Sequence, residues 1–196
     1  MNTNKSVFIN GVIRFGLISA AVFALYCILI YVLEVNIFAP FFSIFSLLLT
    51  ILFMVVPMVM GIRYINKMQV SPMGFGSKYL AALLIGFIGM LVYSILFWIL
   101  MYQVDPAYMA GMQEQFISDM YDRFAEAGMS EDLVASQMER IIRQMERAKD
   151  PVRNLLTSLA SSIITPGLIG LIVAAAVNTR RYHEDHIVVL DEETGK

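Results

Sequence analysis

The most restrictive feature of this sequence is a set of four long stretches without aspartate, glutamate, lysine or arginine. They cover residues 15–33, 35–62, 79–104 and 154–179, so all 14 basic and 16 acidic residues lie in the rest of the 196-residue chain. About 20 apolar residues in a helix cross a hydrocarbon core of roughly 30 Å, and a helix satisfies its own backbone polar groups in lipid. The pattern therefore predicts an all-α integral membrane protein with four transmembrane helices.

Composition narrows the classes of partner and chemistry. Charged residues make up 15% of the chain and the formal net charge is -2, so there is no excess of positive charge to neutralise the phosphates of a nucleic acid. The single cysteine, Cys27, lies inside the first uncharged stretch. It can form neither an intrachain disulfide nor a thiolate metal cluster.

The chain divides into a membrane part, a long loop and a tail. We predict an N-terminal region over residues 1–104 with spans at about 15–33, 40–62 and 79–104, an extramembrane hairpin over 105–153, a fourth span over 154–179 and a polar tail over 180–196. The second helix is expected to start at Pro40, because proline is favoured in a first helical turn.

Basic residues predict the orientation of the spans. Loops on the cytoplasmic side carry an excess of lysine and arginine. With four spans, eight basic residues fall on the side of the termini and six on the side of the long loop. We therefore expect a multi-pass protein of the inner (plasma) membrane with both termini in the cytoplasm.

The long loop has the pattern of an amphipathic helical hairpin. Asp105 followed by Pro106 supplies an N-cap and a first-turn proline for one helix, and Gly128 marks its end. Ser130, followed by two acidic residues, is typical of the start of a second helix, since acids favour the positive end of the helix dipole.

Each helix of the hairpin carries one apolar stripe, with residues recurring every three or four positions. The candidate interaction residues on these stripes are Met109, Met112, Phe116, Met120, Phe124, Met138, Ile141 and Met145. They either pack on each other and on the ends of the spans, or form a binding surface, for which flexible methionine side chains are suited. In a third arrangement the hairpin lies in the headgroup layer, which its acidic polar face disfavours for anionic lipid.

Three local patterns, in this order, resemble a known family. They are Gly61-Ile62-Arg63-Tyr64-Ile65-Asn66-Lys67 with Ser71-Pro72-Met73-Gly74-Phe75-Gly76, then Val104-Asp105-Pro106-Ala107-Tyr108, then Gly167-Leu168-Ile169-Gly170 running to Arg180-Arg181. The chain is similar to the uncharacterised bacterial membrane proteins of domain of unknown function 4199. The resemblance implies four membrane helices with a long third loop, and it implies no activity, cofactor or catalytic residue.

Small residues at four-residue spacing are the predicted helix-packing positions. They are Gly16, Ala20 and Ala24 in span one, Ala82 and Gly86 in span three, and Ser158, Ser162, Gly170 and Ala174 in span four. Such rows let helix backbones approach closely in lipid. We therefore assign these residues a structural role.

The sequence offers no pattern for catalysis. Membrane enzymes and ion-coupled transporters usually place acidic or basic groups inside their spans, and these four spans contain none. His183 and His186 enclose two carboxylates, but a zinc site needs three or four placed ligands. We therefore expect no enzyme activity, no catalytic residue, no cofactor and no metal site.

The leading functional hypothesis is a non-enzymatic structural or interaction subunit that uses its extracytoplasmic hairpin. Its expected surroundings are the lipid bilayer and either further copies of itself, as a homo-oligomer, or another membrane protein. The alternative is a small-solute or lipid carrier. Ser158, Ser161, Ser162 and Thr165 precede the Pro166-Gly167 break in span four, and broken helices form substrate sites in transporters.

A reporter fused after Gly128 tests the orientation. A reporter that is active only outside the cytoplasm should be active there, because the excess of basic residues places the long loop outside. A matched fusion after Ser71, in the loop between spans two and three, should be inactive. The reverse pattern of activities would overturn the assignment.

Overall fold

The computed structural model describes residues 3–69, 71–148 and 150–177, and all regular elements in these ranges are helical. They are α1 (Thr3–Val32), α2 (Pro40–Met68), α3 (Phe75–Ile99), a π-helical turn (Leu100–Val104), α4 (Pro106–Glu126), α5 (Glu131–Ala148) and α6 (Pro151–Ala176). The predicted all-α class is confirmed, and so is the helical hairpin, α4 and α5, between the third and fourth long helices.

Four helical segments are long and apolar enough to cross a membrane. They are Lys5–Val32, Phe41–Met68, Phe75–Val104 and Pro151–Ala176. Large apolar side chains remain exposed along these segments, for example Phe41 at 84% and Ile172 at 70%. Such exposure is unfavourable in water and costs nothing against lipid chains, so the fold is that of a multi-pass membrane protein.

All four long helices differ from the predicted spans in extent, and α1 and α3 show how. Helix α1 begins at Thr3 rather than at residue 15, because the residues before the span are also packed: Gly11 and Val12 are buried. Helix α3 begins at Phe75, and the predicted span over 79–104 ends in the π-helical turn. There the Asp105 N–H donates to the Leu100 carbonyl oxygen at 3.1 Å.

The chain forms two compact units, each built from parts of several helices. Of the described residues, the first unit comprises 3–23, 50–92 and 161–177, and the second comprises 24–49 and 93–160. The second unit therefore contains the π-helical turn and the whole hairpin. In it, the Tyr26 hydroxyl links α1 to α2 by donating to Ser46 Oγ at 2.6 Å.

Close helix approach in the first unit depends on glycines of α3. A Cβ atom at Gly86 would lie 2.3 Å from Met58 Cε and 2.9 Å from Pro166 Cβ. At Gly89 it would lie 2.2 Å from Oγ of Ser19, a fully buried hydroxyl. Small residues permit this contact distance where larger ones would separate the helices.

The end of α6 is held by a charged side chain of α3. Lys78 Nζ donates to the Val177 carbonyl oxygen at 2.9 Å. A positive charge at a helix C-terminus satisfies a free carbonyl and interacts favourably with the helix dipole.

Gly86→Ala should destabilise the protein, because its new methyl group meets the rigid ring of Pro166. Overpacking of this kind costs about 1–3 kcal/mol. Gly167→Ala is the matched control, since its nearest neighbours would be 3.7 Å and 3.9 Å away. Unfolding midpoints measured in the same detergent should fall only for Gly86→Ala, and equal midpoints for the two variants would contradict this packing.

Candidate functional site

The hairpin is formed by local signals at the ends of α4. The Tyr108 N–H donates to Asp105 Oδ1 at 3.1 Å, and Pro106 occupies the first turn. After the helix ends, Gly128 adopts a positive φ of 66°, which suits glycine because it has no Cβ. The chain can therefore reverse and start α5 at Glu131.

The base of the hairpin is attached to the turn between α1 and α2. The Tyr108 hydroxyl, which has one proton to donate, lies 3.3 Å from the carbonyl oxygens of both Ile30 and Val35. Asn36 Nδ2 donates to the Met112 carbonyl oxygen at 3.4 Å. Side chains on both elements thus fix α4 to this turn.

Apolar packing reinforces the attachment. Met101, Met109 and Met112 form a buried cluster, on which Ile37, Phe38, Phe97, Tyr102 and Tyr108 pack. The rings of Phe38 and Phe116 lie 5.9 Å apart. Because methionine fills irregular gaps, three methionines can join the π-helical turn and α4 to the α1–α2 turn.

The Tyr108 phenol is kept in its protonated form. Burial raises its pKa above the usual value of 10.0, and the nearby charges of Glu34 and Asp105 raise it further. Both effects disfavour the phenolate. The hydroxyl therefore remains a donor to the backbone carbonyls of the turn throughout the physiological range of pH.

The start of α6 is fixed next to the base of the hairpin. Asp150 Oδ1 accepts from the backbone N–H groups of Val152 at 3.0 Å and Arg153 at 3.2 Å. Trp98 Nε1, on α3, donates to the Pro151 carbonyl oxygen at 2.9 Å. These contacts hold the first turn of α6 against α3.

The predicted interaction residues do not form an exposed surface. Met109, Met112, Met138 and Met145 are buried, and Phe116, Met120, Phe124 and Ile141 are half-buried. Pairing of α4 with α5, and of α4 with the α1–α2 turn, removes these side chains from water. Whether the four half-buried side chains also contact a partner stays a prediction.

The predicted helix-packing residues lie mostly in the interior. Gly16, Ala20, Ala82, Gly86, Ser162, Gly170 and Ala174 are buried, and Ala24 and Ser158 are half-buried. A Cβ atom at Gly170 would contact Ala82 Cβ at 3.4 Å. The Ser162 hydroxyl, a candidate of the carrier hypothesis, donates to the Met90 carbonyl oxygen at 3.2 Å.

One buried polar residue of the hairpin was missed by the sequence analysis. Gln113 is 2% exposed, and neither its Nε2 nor its Oε1 has a hydrogen-bond partner among the residues that the structure describes. Its position, four residues after Met109 and three before Phe116, places it on the apolar stripe. The sequence signal that would have identified it is a polar residue at a position where the stripe is otherwise apolar.

An open cleft of about 290 Å³ lies at the tip of the hairpin, where α4 ends and α5 begins. It is lined by Tyr121, Ala125, Met129, Glu131, Val134 and Ala135. Most of this lining is apolar, and Glu131 contributes a carboxylate. The cleft can receive an apolar side chain whose neighbours carry positive charge.

The fold and the hairpin together define a class: helical membrane proteins with four apolar spans and an amphipathic helical hairpin before the last span. Within that class, the chain belongs to the family described as Protein of unknown function (DUF4199), whose model matches residues 14–179. This confirms the resemblance noted in the sequence. No curated protein and no solved structure matches the chain.

The predicted absence of a metal or cofactor stays a prediction. His183 and His186, the histidines weighed as metal ligands, lie outside the described residues, as does the predicted tail over residues 180–196.

Tyr108→Phe should loosen the base of the hairpin, since it removes the hydroxyl that reaches two turn carbonyls. One hydrogen bond contributes about 1 kcal/mol, so the unfolding midpoint should fall modestly. Tyr121→Phe, at the exposed tip, is the control and should leave the midpoint unchanged.

The pH dependence of the same pair separates the hydroxyl from ring packing. Because the folded pKa of Tyr108 is raised, its stabilisation is complete below the unfolded value near 10 and is lost as pH rises through the folded value. The stability gap between wild type and Tyr108→Phe should therefore close at alkaline pH. A gap that is constant with pH would contradict the hydrogen bonds.

Proposed function

We propose that this protein is a non-enzymatic interaction subunit of a membrane, and that the tip of its hairpin binds a basic, apolar segment of a partner protein. The observation that carries the proposal is the apolar cleft at the tip, bordered by Glu131. In many interfaces a few residues that are desolvated in pockets of the partner contribute most of the binding free energy.

The charges around the cleft favour one chemistry of partner. The exposed acidic residues near the tip are Asp119, Asp122, Glu126, Glu131 and Asp132, whereas Arg123 is the one basic residue in that part of the sequence. Complementary charge steers association and rejects partners of the same sign. A segment with lysine or arginine beside a leucine-sized side chain fits this surface.

A second copy of the same tip fits the cleft poorly. Two tips facing each other would bring like charges together, which costs free energy in a contact that excludes water. We therefore propose a different protein as the partner, and a homo-oligomer becomes an outcome of the test.

The attachment of the hairpin base to the α1–α2 turn supports a role in which the hairpin holds its tip in place for a partner. Tyr108, Asn36 and the methionine cluster connect α4 to the α1–α2 turn. A surface that is already ordered loses less conformational entropy when it binds. The tip is thereby presented on a fixed support.

For location we propose a bacterial inner membrane with both termini in the cytoplasm. The eight basic residues on the side of the termini, against six in the long loop, support this orientation. The hairpin then projects outside the cytoplasm, where the proposed partner must expose its basic segment.

Site-specific photo-crosslinking in native membranes tests this function. A photoreactive residue at Ala135, which lines the cleft, should capture one defined protein whose crosslinked peptide is basic and apolar. The same residue at the exposed neighbour Ser136 is the matched control and should capture far less. Glu131→Lys combined with Asp132→Lys should lower the yield at Ala135 roughly threefold to tenfold, since rim charges set the rate of association.

Three results would contradict the proposal. One is equal capture at Ala135 and Ser136, and another is a yield that the charge reversals do not change. The third is a crosslinked peptide from this same chain, which would favour a homo-oligomer.

A further inference from the structure

A second, separate set of cavities lies at the base of the hairpin. A cleft of about 360 Å³ is lined by Arg143 and Glu146 of α5 and by Asp150 and Arg153 at the start of α6. Two positive and two negative side chains give this lining a formal charge of zero. Such a cleft matches a ligand that itself carries one charge of each sign.

Two further cavities lie beside this cleft and share lining residues with it or with each other. One, of about 70 Å³, is lined by Ala110, Gln113, Glu114, Ile117, Ile142, Met145 and Glu146. The other, of about 350 Å³, is lined by Tyr102, Pro106, Met109, Ala110, Gln113 and Pro151. Glu146 lines the first and second cavities, and Ala110 and Gln113 line the second and third. Charged side chains make up the whole lining of the first cavity and part of the second, and the lining of the third contains none.

The unpaired amide of Gln113 lies in the wall between the two inner cavities. Its nitrogen and oxygen are both buried and have no hydrogen-bond partner within the described part of the chain. A buried amide without partners costs free energy, which a ligand can recover by pairing with it. A ligand carbonyl in either cavity could accept from Nε2 after a rotation of the side chain. The amide is thus an independent sign of a polar ligand group.

The position of these cavities along the chain places them near a membrane surface. The apolar segment Pro151–Ala176 starts beside them, and Trp98 donates its indole N–H to Pro151. Tryptophan is enriched at the headgroup level of membranes, and arginines at span ends extend toward that level. A tryptophan and arginines at the start of an apolar segment are typical of the headgroup level.

We propose that this set of cavities binds one phospholipid with an ethanolamine headgroup. The guanidinium groups of Arg143 and Arg153 donate to the phosphate, and Glu146 and Asp150 accept from the primary ammonium. Arg143 also pairs with Glu139, but a guanidinium has five N–H donors and can serve both. The Gln113 amide meets a glycerol ester carbonyl, and the first part of an acyl chain fills the cavity beside Tyr102 and Met109.

The same chemistry discriminates among headgroups. A glycerol headgroup carries the phosphate without a cation, so the two carboxylates would lose their ammonium partner and the occupied cleft would hold one net negative charge. A choline headgroup has a cation without N–H donors and cannot hydrogen-bond to them. This site is independent of the cleft at the tip of the hairpin.

Native mass spectrometry of the full chain in detergent tests the proposal with three lipids of identical acyl chains. The ethanolamine lipid should bind about tenfold more tightly than the glycerol or the choline lipid, the ratio expected for loss of one charge-assisted hydrogen bond. Soluble phosphoethanolamine tests the contribution of the apolar cavity and should not compete at concentrations that saturate the lipid.

Variants locate the site. Arg153→Gln and Gln113→Leu should each weaken binding of the ethanolamine lipid about tenfold, and Gln113→Leu should keep the fold because it removes an unpaired buried amide. Arg140→Gln, on an exposed part of α5 outside the cleft, should bind as wild type does. Equal affinity for the three lipids, full competition by phosphoethanolamine, or equal effects of Arg140→Gln and Arg153→Gln would overturn the proposal.

Discussion

This structure depends on one constraint: in lipid, every backbone N–H and C=O group needs a hydrogen-bond partner within the protein. A helix meets that demand within itself, so the four apolar segments are long, continuous helices, and irregular backbone is confined to their ends. Once the backbone is satisfied, packing between helices is decided by side-chain size. Gly86, Gly89 and Gly170 lie where a neighbouring side chain comes within contact distance.

The hairpin follows a different rule from the spans, because its stability depends on removing apolar side chains from water. The apolar side of helix α4 faces two neighbours. Met109 and Met112 pack toward the π-helical turn and the α1–α2 turn. Gln113 and Ile117 line a cavity together with residues of α5. The hairpin is therefore continuous with the membrane part of its unit. Its two candidate sites lie at its two ends: an apolar cleft with an acidic border at the tip, and a charged cleft with neighbouring cavities at the base.

Local signals in the sequence predicted the helices and their ends, but they could not predict contacts between residues that are distant in the sequence. Pro40, Asp105 and Gly128 mark helix ends through caps and turns that depend on a few neighbouring residues, and each stands at such an end in the structure. The attachment of Tyr108 to the α1–α2 turn joins residues more than 70 positions apart, which no periodicity encodes. For the site, the sequence located both stripes but left open what covers them, since amphipathicity marks a buried face without naming its neighbour. Gln113 is visible in the sequence as a polar residue at an apolar position of the stripe, but only the packing shows that its amide has no partner among the described residues.

The link between Tyr108 and the end of α1 has a consequence for the order of biosynthesis. Chains are made from the N-terminus onward, so α1 and α2 are complete while α4 is still being translated. Until α4 is made, the carbonyl oxygen of Val35 and the side-chain amide of Asn36 must bond to water or to lipid headgroups. Once α4 is in place, Val35 accepts from Tyr108 and Asn36 donates to Met112. The first helical pair thus enters the bilayer with a provisional turn, which the emerging hairpin completes.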